Sequence, residues 1–318
     1  MQIVAFMASY LRSAKLVMPD MKLWLKRFME DERLPESFID VAEQFYKPLA
    51  QQVQTWVEQS DQAIILGVNG GQGTGKSTLS GFIGHFLEHS AGLSTCIISI
   101  DDLYLTKEDR LELANTVHPL FATRGVPGTH DVEYGIKLIT ELKAGKLPKI
   151  PRFNKATDQP FAVDTWQAPE KVPDLIIFEG WCVGASAEPA YELVEPINVL
   201  EEKEDPDGAW RTFVNMQLMG KYAELYGLID HLAMLKAPSF ECIHGWRTEQ
   251  EEKLAAKVAQ ENGDGSGIMS ANEIKRFISH YERITRWMLE DIPPRADCIF
   301  HLNKNHSINS ASIKGRHV

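Results

Sequence analysis

Lys76 and Ser77 close the run Gly70-Gly71-Gln72-Gly73-Thr74-Gly75-Lys76-Ser77, in which glycines, an ammonium and a hydroxyl stand at the spacing of a polyphosphate cradle. The backbone N–H groups of such a loop converge on an anion, a lysine at position 76 reaches the outer phosphates, and the Ser77 hydroxyl can ligate Mg²⁺. The chemistry needs a strand before the loop and a helix after it. Ile64-Ile65-Leu66-Gly67-Val68 reads as a strand buried on both faces, and from Thr78 to Leu87 apolar residues fall three to four apart, as on a helix packed against a sheet. Gly70, Gly71, Gln72, Gly73, Thr74, Gly75, Lys76, Ser77 and Thr78 are therefore expected to bind a purine nucleoside triphosphate at the positive end of that helix.

Three further places carry residue types that suit chemistry on a phosphate. The apolar run from Thr95 to Ile100 ends in Asp101-Asp102-Leu103-Tyr104. A carboxylate there would face the outer phosphate, where it can take a proton from an attacking hydroxyl or hold Mg²⁺ through water. A helix cap is the plainer use of one aspartate, but two of them at a strand end beside a phosphate loop argue that one is catalytic. Asp174-Leu175-Ile176-Ile177-Phe178 closes on Glu179, the arrangement in which a strand-end acid helps to hold the metal shell. Beyond Lys236-Ala237-Pro238 a helix is expected to begin near Ser239, with Phe240, Ile243, Arg247, Gln250 and Leu254 on one face. Arg247 in that stripe is either a snorkelling side chain or a lid arginine that neutralises transition-state charge; the second reading is preferred.

These residues need a scaffold that brings strand ends together. Apolar runs at 64–68, 95–100, 174–179, 229–235 and 298–302, most of them separated by amphipathic helical stretches, form the pattern of a doubly wound sheet. In such sheets ligands sit outside the carboxyl ends of the strands. The expected fold is α/β, three layers (α/β/α) around a five-stranded, mainly parallel sheet. Two helices between Lys22 and Glu58 form an N-terminal extension, the second carrying Phe38, Ala42, Phe45, Leu49, Val53 and Trp56 at helical spacing. The division expected is an arm and helical extension over 1–60, a main domain over 61–305 and a tail over 306–318.

Composition bounds the possibilities more than it selects among them. With a formal net charge of −11 and no basic stripe with interleaved aromatics, the 318-residue chain does not read as a nucleic-acid binder. No segment reaches the roughly 20 apolar residues of a membrane span. Ile3-Val4-Ala5-Phe6-Met7-Ala8 imitates a signal peptide weakly, with Arg12 and Lys15 after the apolar patch rather than before it; the first 20 or so residues read as a loose arm or an over-called start. Cys96, Cys182, Cys242 and Cys298 lack ligand spacing and are expected to be reduced thiols, so a cytoplasmic location is expected. Asn262-Gly263-Asp264-Gly265-Ser266-Gly267 with Glu273 imitates a calcium loop. However, its first residue is Asn, the loop stands alone, and Ser270 with Glu273 makes a helix capping box instead.

Taken together, Ser99-Ile100-Asp101-Asp102-Leu103-Tyr104 and Phe178-Glu179-Gly180 after the phosphate loop resemble the phosphoribulokinase, uridine kinase and pantothenate kinase superfamily. Arg124-Gly125-Val126-Pro127-Gly128-Thr129-His130-Asp131, Pro151-Arg152-Phe153-Asn154-Lys155, Phe178-Glu179-Gly180-Trp181 and Trp246-Arg247-Thr248-Glu249-Gln250-Glu251 narrow the resemblance to D-glycerate 3-kinases of the plant type and their bacterial relatives. The loop after Lys155, Ala156-Thr157-Asp158-Gln159-Pro160, is shorter than in the plant type. The resemblance implies an ATP- and Mg²⁺-dependent kinase of a small-molecule acceptor, with Asp101 rather than Asp102 as general base, Lys76 and Arg247 acting on the phosphates, and Ser77 and Glu179 at the metal. It further implies that 124–131 and 151–158 form the acceptor pocket. Arg124, His130, Arg152, Asn154 and Lys155 are then the candidates for binding the acceptor, the four basic residues among them suiting a carboxylate. Expected acceptors are D-glycerate first, then pantothenate or a nucleoside; a nucleotide-binding switch that phosphorylates nothing is the alternative from another class.

Overall fold

A computed structural model describes residues 23–249, 270–314 and 316–317 of the chain. The central strand β1 (Ile64–Gly70) is buried along its whole length, which explains why its sequence is a continuous apolar run and not an alternating one. Its side chains still alternate: Ile64, Leu66 and Val68 join one core while Ile65 joins the other. On one flank β1 pairs in parallel with β5 (Leu175–Gly180), which pairs in parallel with β2 (Thr95–Ser99). On the other it pairs with β6 (His231–Lys236), and β6 with β7 (Cys298–Leu302), again in parallel. All five expected parallel strands are thus present. The sheet is nevertheless wider than five, because β8 (Ile308–Ile313) and the short β9 (Arg316–His317) add antiparallel strands beyond β7. Two short strands between them, β3 (Phe153–Asn154) and β4 (Gln159–Pro160), form a separate hairpin.

Helices cover both faces, as two hydrophobic cores require. On one face lie helix α1 (residues 23–31), then α2 (Phe38–Val41), which runs through a π-helical turn at Ala42–Tyr46 into α3 (Lys47–Glu58), and α4 (Lys76–Ala91). Their buried Phe28, Phe45, Leu49, Val53, Leu79, Phe82 and Phe86 meet Leu66, Val68 and Phe300 of the sheet. The N-terminal extension is therefore part of the main core. Helix α5 (Lys107–Thr116) follows β2 at the rim and buries Arg110. The second face carries α6 (Val132–Lys143), α7 (Val199–Glu204), α8 (Ala209–Met219), α9 (Lys221–Tyr226) and the long α11 (Ala271–Asp291). Helix α10, residues 240–249, follows β6. The capping box of Ser270 and Glu273 opens α11 as its sequence predicts. Gln250, Leu254 and the calcium-loop imitation at 262–267 lie outside the described residues.

Candidate active site

Gly75 caps α4 in the left-handed region, with φ of 91°. A side chain would be strained there, and this turn is what aims the first N–H groups of α4 along the loop. Gly70 ends β1, and the Gly71 carbonyl accepts from the Thr74 hydroxyl at 2.8 Å and from Lys76 Nζ at 3.0 Å. The loop is thereby closed on itself, with Lys76 folded over it. His306, from the turn between β7 and β8, stacks on Trp246 of α10 with ring centroids 4.2 Å apart and contacts the Gly73 carbonyl at 3.2 Å. Trp246 is buried and donates to the Lys304 carbonyl. Thus α10 and the β7–β8 turn buttress the loop.

Asp101 sits in a 3₁₀ turn (Ile100–Leu103) that begins where β2 ends, with the Ser99 hydroxyl accepting from the Asp101 amide. Glu179 lies at the end of the neighbouring β5, next to Ser99 in register. Both face a cavity of about 410 Å³ together with Gln72, Gly73, Lys76, Ser77, Arg124, Lys155 and Arg247, walled by Tyr104, Trp181, Phe277 and Tyr281. That volume is in the range of small-molecule sites. Four cationic side chains and two carboxylates share one space, and Lys76, Glu179 and Asp101 are shifted by it. Burial lowers the Lys76 ammonium, an effect countered by Glu179 and Asp101. Burial raises the Glu179 carboxyl, against the pull of Lys76 and of a hydrogen bond from Ser99. For Asp101 burial pushes upward, but the charge and hydrogen bond of Lys155, with Lys76 behind it, prevail and hold it below its ordinary value. Lys155 Nζ donates to Asp101 Oδ2 at 2.5 Å.

The residues expected at the acceptor separate into two groups. Arg124 and Lys155 line the cavity; Arg124 is paired with Asp158, which also binds the buried Arg110. Arg152, half exposed, donates to Asp102 at 2.7 Å, and the Phe153 amide donates to the same carboxylate at 3.0 Å. Asp102 therefore pins the 151–155 segment against the end of β2. Asn154 accepts from the Ala156 amide at 3.0 Å and shapes the β3–β4 turn. His130 is buried, not an exposed cation: its ring stacks on Tyr104 at 4.4 Å and its Nδ1 meets the Tyr222 hydroxyl at 2.6 Å. Burial lowers its pKa to about 3, so it stands as a neutral imidazole at neutral pH.

The 124–131 loop is held by side chains from other elements. Gly125, at φ of 141°, lies against Tyr281, where a Cβ would come within 2.2 Å of the hydroxyl oxygen. Tyr281 donates to the Arg124 carbonyl and Trp181 to the Gly125 carbonyl. Tyr222 accepts from the Gly128 amide. Tyr281 and Phe277 come from α11, far along the chain, and nothing in their local sequence marks them apart from an ordinary amphipathic stripe.

A parallel run of strands ordered β2-β5-β1-β6-β7, with a Gly-Thr-Gly-Lys-Ser loop after the central β1 and acids at the ends of β5 and β2 on one side of it, defines a P-loop kinase. The chain is 30% identical over 226 residues to the uncharacterized kinase mug58 of Schizosaccharomyces pombe, covering 68% of this chain and 78% of that one. It is also 30% identical over 229 residues to the chloroplastic D-glycerate 3-kinase of Arabidopsis thaliana; the match takes 69% of this chain and spans about half, 46%, of that enzyme. The solved D-glycerate 3-kinase of Cryptococcus neoformans var. grubii serotype A has the same fold, with a TM-score of 0.67 at 21% identity, covering 85% of this chain and 99% of that one. No family model matches the chain. The chain belongs to the family of ATP-dependent P-loop kinases that includes mug58 and the D-glycerate 3-kinases.

Proposed function

We propose that the protein transfers the γ-phosphoryl group of ATP to a hydroxyl of a small carboxylated acceptor, D-glycerate giving 3-phosphoglycerate. The supporting observation is the placement of Lys76, Arg124, Lys155 and Arg247 around one cavity that also holds Asp101 and Glu179. Two anions, a polyphosphate and a carboxylate, would be matched by those four cations. The loop amides and Lys76 hold the β- and γ-phosphates, and Arg247 meets them from α10. Arg124 and Lys155 take the acceptor carboxylate. Asp101, held ionised by its cationic neighbours, accepts the hydroxyl proton as the oxygen attacks phosphorus. Tyr104, Trp181 and Tyr281 keep water from the acceptor side.

Ser77 and Glu179 fit Mg²⁺, a hard cation that prefers oxygen ligands. Glu179 is buried with its carboxyl raised by that burial, and a cation beside it would favour the carboxylate. When bound, the ion would neutralise charge between the β- and γ-phosphates. The composition and charge support a cytoplasmic enzyme that works on free metabolites without nucleic acid or membrane; among the described residues no helix is long and apolar enough to cross a bilayer.

The test is ADP release coupled to a reporter enzyme, measured with D-glycerate, L-glycerate, pantothenate, uridine and ribulose 5-phosphate. Turnover stimulated by D-glycerate above all others is expected. Preference for pantothenate or uridine would reassign the acceptor, and no stimulation by any of the five would sink the kinase reading in favour of a nucleotide-dependent switch.

A further inference from the structure

On the outer face of α4, away from the phosphate loop, His85, Glu88 and His89 stand at i, i+3 and i+4. That spacing places all three on one stripe of the helix. Their side-chain donor atoms lie within 4.8 Å of one another, and all three residues are exposed. Among the described residues they form the one cluster of three or more such side chains close enough to share an ion.

Two observations separate them from a chance surface cluster. The buried Trp24 of α1 lies nearly parallel to both imidazoles, at centroid distances of 6.2 Å to His85 and 5.8 Å to His89 and interplanar angles of 13° and 9°. The two imidazoles are themselves parallel within 7°, and Phe28 stands against His85 at 5.3 Å. An aromatic wall thus restricts both rings in advance, lowering the ordering cost of a ligand that joins them. Secondly, His85 and Glu88 edge a surface cavity of about 350 Å³, whose facing loop brings Glu170. The cavity gives the His85 and Glu88 side of the cluster room for coordinated water, and its rim carries Glu170 with Lys171 next to it.

We propose that His85, Glu88 and His89 form a binding site for a borderline divalent transition metal, Zn²⁺ foremost. Two imidazole nitrogens one helical turn apart with a carboxylate oxygen make the mixed nitrogen and oxygen set that Zn²⁺, Ni²⁺ and Cu²⁺ prefer and Mg²⁺ does not. With Zn–N and Zn–O bonds near 2.1 Å, ligand atoms in a tetrahedron lie about 3.4 Å apart. The unrestricted Glu88 side chain and small turns of the two imidazoles within their aromatic wall close that difference, and water fills the fourth position. The site is about 12 Å along the helix from Ser77, so it is separate from the catalytic metal. Its effect is structural: an ion clipping two turns of α4 stiffens the helix that presents Lys76.

The experiment is calorimetric titration of the full-length, untagged protein with zinc chloride, repeated on His85→Gln, His89→Gln and the double variant. One equivalent bound with micromolar affinity is expected, with affinity weakened at least about tenfold in each single variant and heat lost in the double. Zn²⁺ should raise the thermal midpoint of the parent chain and leave that of the double variant unmoved, with Mg²⁺-supported turnover the same in both. X-ray absorption at the zinc edge of the parent protein gives a readout independent of how the variants fold. A shell of nitrogen and oxygen near 2.1 Å is expected, and sulfur at about 2.3 Å would assign the ion to cysteine and overturn the proposal. Absence of binding, or binding unchanged in the double variant, would overturn it equally.

Discussion

Asp102 accepts hydrogen bonds from Arg152 and from the Phe153 amide, whereas Asp101 faces the cavity and Lys155, so removing charge at the two positions should have different kinetic signatures. Asp101→Asn takes away the proton acceptor and is expected to lower kcat by roughly 10²–10⁴ while ATP affinity stays close to the parent value. Asp102→Asn loosens the tether of the acceptor segment, so the expected effect is a raised acceptor KM with kcat nearly kept. Steady-state kinetics with both substrates varied distinguishes them, and a reversed ranking would move the base to Asp102. His130 supplies a second prediction at this scale. Its folded pKa of about 3 lies below the ordinary 6.5, so the unfolded chain binds the proton more readily. The stability it contributes is complete above about pH 6.5 and is lost as pH falls toward 3. His280, lowered by burial to about 4, acts in the same direction. The urea midpoint should therefore drop steadily from pH 6.5 to pH 4, and His130→Asn should flatten that slope. An unchanged slope in the variant would show that His130 is not kept neutral.

At the scale of elements, the strand–loop–helix unit around Lys76 was legible because a glycine loop between a buried strand and an apolar-periodic helix has few other readings. The strand-end acids were legible for the same reason. What local pattern could not show was which side of a loop each charged residue takes. Arg124, Arg152 and Lys155 look alike in sequence, yet Arg152 is bound to Asp102 outside the cavity. His130 is a candidate donor through the resemblance of 124–131 to an acceptor loop, but tertiary packing against Tyr104 and Tyr222 buries it. The aromatic walls Phe277 and Tyr281 were hidden within the stripe of α11. The lid reading of α10 is compatible with the observed helix: Phe240, Ile243 and Trp246 are buried, while Arg247 reaches the cavity with its guanidinium 5.9 Å from the Phe277 ring centre. If Arg247 meets phosphate chiefly in the transition state, Arg247→Ala should cut kcat far more than it weakens nucleotide binding. Arg247→Lys should rescue little, since an ammonium cannot reproduce the planar fork. Single-turnover rates compared with nucleotide titrations would check this; equal losses in both would make Arg247 a plain binding residue.

At the scale of the whole molecule, the parallel strands and the covering helices follow from apolar runs alternating with amphipathic ones, and β1 reads as buried on both faces, as β5 proves to be too. The far edge of the sheet could not be read this way. Ile308-Asn309-Ser310-Ala311-Ser312-Ile313 is half polar and follows Asn303-Lys304-Asn305, so it reads as a tail. The alternation in it is nevertheless that of a strand with one buried face: Ala311 and Ile313 are buried beside Cys298, Phe300 and the helices of the N-terminal extension. Tyr46 of that extension packs edge-on against Phe300 at 5.8 Å. Strand β8 therefore completes the core that also supports α4 and the phosphate loop, and the turn leading into it places His306 against Gly73. Truncating Ile313 to alanine removes buried methylenes from this seam and should cost about 2–4 kcal/mol, read as a lower urea midpoint with an unchanged m-value. Because Ile313 is remote from the cavity, the ATP KM should stay near the parent value below the unfolding transition. Ser310→Ala, on the same strand but only partly buried, should change stability by no more than about 0.5 kcal/mol and so leave the midpoint nearly in place. Equal, small effects from both substitutions would mean that β8 merely lies on the sheet edge, and that the core ends at β7.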